Sequence, residues 1–127
     1  MKQEDKELLL KDLCARVPYG VKVLNMAEGV NEICELDSIM TSRKHKDKIF
    51  VSLTLPDDSV MTGIEIVRPY LRPMSSMTEK EQYEYNTAID NDIEPERIVD
   101  WYNLHHFDYR GLIEKGLALE APEGMYD

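Results

Sequence analysis

Cysteine and glycine are both scarce in this chain, and each shortage removes a class of chemistry. Among 127 residues there are two cysteines, Cys14 and Cys34. They stand in a helix-like and a strand-like segment, without the close spacing of metal ligands. Both are expected to be reduced, packed thiols, and a disulfide is the minor alternative because no export signal is evident. The six glycines fall at no nucleotide-binding spacing, which excludes a phosphate-cradling loop. No run approaches the roughly eighteen consecutive apolar residues of a spanning helix, so neither secretion nor membrane insertion is expected, and the expected location is the cytoplasm. Internal repeats and low-complexity linkers are also missing.

What is present suits one globular unit. Hydrophobic residues make up 43% and charged residues 31%, enough apolar surface to fold, and the length allows one core rather than two. A single domain over 1–127 is expected. The net charge of -10 is unevenly placed. Residues 1–72 carry eleven Lys/Arg against twelve Asp/Glu, a net of -1, whereas residues 73–127 carry four against thirteen, a net of -9. Such an acidic half repels phosphates and anionic membrane and attracts basic protein surfaces.

Periodicity changes along the chain. Leu9, Leu10, Leu13 and Cys14 fall at helical spacing after Glu4, Asp5 and Glu7, predicting a helix from Gln3 to Arg16, where Pro18 and Gly20 end it. From Val21 to Val67 the period is two. Strands are predicted at Val21–Met26, Asn31–Met40, Ile49–Leu55 and Met61–Val67, with turns at Glu28-Gly29 and Pro56-Asp57-Asp58-Ser59 and a bend or bulge at Gly63. Pro69 and Pro73 make the segment from Arg68 to Met74 an extended connector barred from a central strand. Thr78 and Glu81 form a capping-box pattern opening a helix to about Ile89. Pro95 starts another, with Ile98, Trp101, Tyr102 and His105 on one face. Asp108 caps a last short turn through Glu114, and Leu117–Leu119 returns as an extended tail.

Three phrases carry a resemblance: Pro18-Tyr19-Gly20-Val21-Lys22-Val23, Pro69-Tyr70-Leu71-Arg72-Pro73-Met74-Ser75-Ser76-Met77-Thr78-Glu79, and the stretch from Trp101 to Tyr126. They resemble short proteins of phages and integrated elements of gut Bacteroides-type bacteria, a group with no assigned activity. Between Met26 and Ile66 no phrase matches. The resemblance implies a context, a mobile-element protein inside a bacterial cell, and no chemistry.

Few constellations could carry chemistry. His105 and His106 with Asp100 and Asp108 have a metal-ligand inventory, but adjacent helical residues diverge by roughly 100°, so one histidine should face the core and the other solvent. A helix-end role, with the imidazoles on the last carbonyls, outweighs a metal site. Ser75 or Ser76 with His105 as base lacks a glycine-flanked elbow. Cys14 or Cys34 with His105 reads as packing, and Asp57-Asp58 and Asp90/Asp92 read as turn chemistry. The concentrated positive charge at Arg43, Lys44, Lys46 and Lys48 could lie along a phosphate backbone, with Phe50 or Tyr19 for stacking; its plainer reading is a solvated loop. Tyr83 and Tyr85 cannot both face inward, so an exposed tyrosine amid Glu79, Glu81 and Glu84 makes a candidate protein-binding face.

The expected architecture is α+β: an N-terminal helix, a small curved antiparallel sheet resembling an SH3-like barrel, and a C-terminal helical layer. The expected function is a non-enzymatic, protein-binding accessory factor of a phage or mobile element, without cofactor, whose acidic helical face meets a basic partner. A host-defence inhibitor mimicking nucleic-acid charge is its sharper form. Weak nucleic-acid binding at residues 43–48 and a metal-dependent enzyme at His105/His106 are the alternatives. Self-association through a sheet edge is a further partner reading.

Overall fold

The structure, a computed structural model, describes residues 1–45 and 47–126. Helix α1 spans Gln3–Arg16, its acidic first turn complementing the helix dipole. Leu9 and Leu13 are fully buried, each contributing about 1.5–3 kcal/mol by leaving water. Cys14 is exposed and Cys34 buried, both as free thiols. The packed reading of Cys14 is therefore corrected: one position beyond Leu13 turns it roughly 100° off the buried stripe.

After a 3-10 turn at Val17–Tyr19 come β1 (Lys22–Asn25), β2 (Glu32–Thr41), β3 (Ile49–Leu55) and β4 (Asp58–Gly63). They form the expected meander of successive antiparallel neighbours. Pro56 and Asp57 alone make the β3–β4 turn, since Leu55 already pairs with Asp58. The expected strand through Val67 is interrupted. Ile64–Ile66 is a 3-10 turn, which drops Ile64 into the core at zero exposure. No bulge forms at Gly63, where pairing with Phe50 is regular; the register shift lies between Leu36 and Ser38 in β2.

β5 (Val67–Leu71) then pairs with β1 on one side and with the two-residue β6 (Leu119–Glu120), in parallel, on the other. Pro69 therefore stands inside the sheet, contrary to expectation. The Met26 N–H to Ile66 O bond sets the alternation of the ladder and makes Val23 and Pro69 a non-hydrogen-bonded pair. The missing N–H thus faces the β6 side, where pairing starts only at Tyr70, and nothing is lost.

The strand order is β4-β3-β2-β1-β5-β6. Among the described residues β4 and β6 do not pair, so the sheet is open and the expected SH3-like barrel is corrected: the strand order runs on to β5 and β6 instead of closing. Its inner face packs Val23, Leu36, Val51, Leu53, Val67 and Leu71 with Leu9 and Leu13 of α1, and Leu112 and Leu117 complete the core. Helices α2 (Glu79–Asp90) and α3 (Pro95–Leu104) follow the sheet. They meet through Tyr85, whose ring centroid is 6.1 Å from those of Trp101 and Tyr102. The fold is α+β, as its sequence pattern predicts. Among the described residues no helix is long and apolar enough to cross a membrane.

Candidate functional site

The start of α2 is fastened by the predicted capping box. Thr78 Oγ1 accepts from Glu81 N–H at 3.2 Å, and Glu81 Oε1 accepts from Thr78 N–H at 2.9 Å. The same Glu81 carboxylate grips Arg72, just beyond β5, by two bonds of 2.6 and 2.7 Å. Arg72 also donates to Ser76 O and His105 O and lies 4.4 Å over the Phe107 ring. Hydrogen bonds from Arg72 hold the Glu81 carboxyl down at about 2. Glu81 is only 8% exposed, so it leaves the partner-facing set inferred from sequence and acts as a structural clamp.

Facing this clamp, the chain after β6 runs back as a strap. Ala121 N–H bonds Leu71 O at 2.8 Å, and Lys22 Nζ bonds Met125 O at 3.0 Å. The β1–β5 ladder ends at Val23 and Pro69. At the next position the Tyr126 hydroxyl takes its place, accepting from Lys22 N–H at 2.9 Å and donating to Tyr70 O at 2.7 Å. Burial pushes the Tyr126 phenol up to about 12, so it keeps its proton at any physiological pH. Tyr126→Phe is expected to cost about 1–3 kcal/mol, because a part-buried N–H and C=O lose their partner with little change of shape; the urea unfolding midpoint reads it.

Between α2 and the strap lies a cleft of about 690 Å³. Lys80 and Glu84 line it from α2, Glu120 from the end of β6, Glu123 and Tyr126 from the strap, and Arg72, Glu81 and His105 from its floor. Because Arg72 and Glu81 neutralise one another, the charges left facing the cleft are Glu84, Glu120 and Glu123 against Lys80. Glu84 also accepts from Trp101 Nε1 at 3.2 Å. The lining suits a cationic group with room around it.

The remaining candidates separate. Tyr83 is 73% exposed with Glu79 one turn before it on the same face of α2, whereas Tyr85 is packed on the aromatic cluster. His105 and His106 diverge as expected, but neither serves the last helical carbonyls. His105 Nδ1 is 3.2 Å from Glu81 Oε2. His106 has a left-handed φ of 62° and stacks on the Tyr126 ring at 3.7 Å. Burial, with Arg16 and Arg72 nearby, lowers its pKa to about 4. Among the described residues no three His, Cys, Asp or Glu side chains group as metal ligands. Ser76 Oγ is bonded to Pro73 O at 2.7 Å rather than poised as a nucleophile.

Arg43, Lys44 and Lys48 are exposed in the β2–β3 loop; Lys46 lies outside the described residues. Phe50, at the start of β3, is 37% exposed beside that loop, and Tyr19 lies in the turn before β1 instead. The loop joins strands on the far side of β1 from the cleft.

Sequence reasoning missed a second polar cluster. Asp12 and Arg16 are both fully buried, joined at 2.8 and 3.1 Å, and Arg110 reaches Asp12 at 2.9 Å. Arg16 also donates to Phe107 O at 2.7 Å, tying α1 to the segment that carries the floor of the cleft. The signal was available: residues 9, 12, 13 and 16 form one helical stripe, so a charged pair within it must find partners inside.

Comparison with known proteins adds no relative: no family model, curated protein or solved structure matches the chain.

Proposed function

We propose that this chain is a non-enzymatic accessory factor of a phage or mobile element, working in the cytoplasm of a bacterial host by holding a basic segment of a partner protein in the acidic cleft. The observation that carries this reading is the charge left in a cleft of about 690 Å³ after the Arg72–Glu81 pair cancels: three carboxylates, from α2, β6 and the strap, against Lys80. Exposed Tyr83 with Glu79 extends the acidic surface on the neighbouring face of α2. The net of -9 over residues 73–127 would steer a basic partner from a distance and make the encounter salt-sensitive. In its sharper form the partner is a nucleic-acid-binding host-defence protein, and the acidic half competes for its basic groove.

The test is a calorimetric titration of the full chain with a Lys/Arg-rich peptide and with an acidic control. The basic peptide should bind and the control should not. Replacing Glu120 and Glu123 together by Gln, which leaves the Arg72–Glu81 clamp intact, should weaken binding by about 3- to 30-fold, as expected for two rim charges. Equal affinity for both peptides, or an unaffected double variant, would reject the reading. Nucleic-acid binding is the second reading, supported by the exposed Phe50 beside Arg43, Lys44 and Lys48. It requires a salt-dependent affinity for single-stranded probes that falls when those three cations are replaced.

A further inference from the structure

The strand at the other edge of the sheet is unguarded. β4 ends the strand order, and Ser59-Val60-Met61-Thr62-Gly63 contains no charge and no proline, the residues that usually blunt an exposed edge. Leu55 and Asp58 flank a two-residue turn and so form a hydrogen-bonded pair with β3, as do Val60 and Thr62 with their partners; Ser59, Met61 and Gly63 therefore direct their backbone groups outward. Ser59 N–H is taken by Asp58 Oδ1 at 2.8 Å, and Met61 is 61% exposed.

Charge is arranged along this edge in a self-complementary way. Asp57 and Asp58 stand at its start. At its far end Gly63 pairs with Phe50, which places the loop bearing Arg43, Lys44 and Lys48 next to the strand's exit. Glu65, just past Gly63, is occupied by Lys6 at 2.8 Å. The edge also belongs to residues 1–72, which carry a net of only -1, with β1 and β2 between it and the acidic cleft.

We infer that β4 pairs antiparallel with β4 of a second copy about a two-fold axis through Met61, extending the sheet across both chains. This register sets Met61 opposite the second copy's Met61 and Ser59 opposite its Gly63. It joins outward-facing backbone groups to outward-facing ones with both outer faces on one side, as registers shifted by two residues also do, and it centres the pairing on the uncharged stretch from Ser59 to Gly63. It carries each acidic turn to the other copy's basic loop, across roughly two strand spacings or about 10 Å, a gap that Lys and Arg side chains span. A parallel pairing would set like charge against like. The exposed Met40, Phe50 and Met61 would then form one apolar strip running across the junction.

Light scattering of the full chain over a concentration series up to the millimolar range tests this. A concentration-dependent dimer is expected, weakened by salt. Asp57→Lys with Asp58→Lys should weaken it about tenfold or more, and adding Arg43→Glu with Lys44→Glu should restore it. All four side chains are exposed, and circular dichroism confirms that each variant is folded. A monomer at every concentration, a dimer indifferent to the first pair of changes, or a swapped variant that fails to recover would each overturn the inference.

Discussion

Asp12→Ala is expected to destabilise the protein by about 3–5 kcal/mol, the cost of breaking a buried ion pair from one side. Asp12 and Arg16 have no exposed surface, and Arg110 shares the same carboxylate. Without Asp12, Arg16 keeps the Phe107 carbonyl and the Tyr109 ring 5.3 Å away, neither of which bears a full negative charge. The buried Arg16 guanidinium would then face that of the partly exposed Arg110 with no carboxylate between them. The expected loss is a large fraction of the stability of a domain this size, and urea unfolding measures it. Replacing Asp12 by Leu and Arg16 by Met together should cost less than Asp12→Ala alone, because no buried charge is then left without its partner. A loss below about 1 kcal/mol for Asp12→Ala would contradict the buried network.

Stability should also fall by about 3 kcal/mol as pH drops from 6.5 to 4, through His106. The folded imidazole titrates at about 4, against an ordinary value of 6.5, because it is buried and faces Arg16, Arg72, His105 and Lys22. Between these values the unfolded chain binds a proton that the folded chain does not, so stability is complete above pH 6.5 and is lost as pH falls through the window. Glu81 acts lower: its carboxyl is held at about 2, so the Arg72 clamp weakens only below the ordinary carboxylate range. His106→Asn should flatten the profile between pH 6.5 and 4, since asparagine tolerates the φ of 62°. Unfolding midpoints for both proteins across that range decide it. Because His106 stacks on Tyr126, its protonation should loosen the strap and the cleft with it.

Helix α1, the capping box at Thr78 and Glu81 and the meander were legible because each rests on short-range pattern: a period, a cap or a turn; of the extended tail expected at Leu117–Leu119 only Leu119 pairs with β5, since Leu117 and Ala118 bend into the core. The interrupted strand was not. Ile64 and Ile66 alternate as a strand would, and only the need to bury Ile64 beneath the sheet turns the chain there. Pro69 misled for a similar reason, since its acceptability depends on where β6 begins some fifty residues later. For the cleft, sequence marked the acidic half and Glu84. It could not foresee that Glu81 would be spent on Arg72, or that Glu120 and Glu123 would be brought opposite α2 by a chain that Leu71, Lys22 and the Tyr126 hydroxyl tie to the sheet.

The central claim, that the cleft is where a basic segment binds, is met most directly by following backbone amide shifts of the labelled chain during titration with the Lys/Arg-rich peptide. The perturbed amides are expected to cluster at Lys80 to Glu84 and Glu120 to Tyr126, saturate with one affinity, and fade as salt is added. Shifts scattered over the surface, or gathered at the Arg43–Lys48 loop with the cleft unchanged, would contradict it.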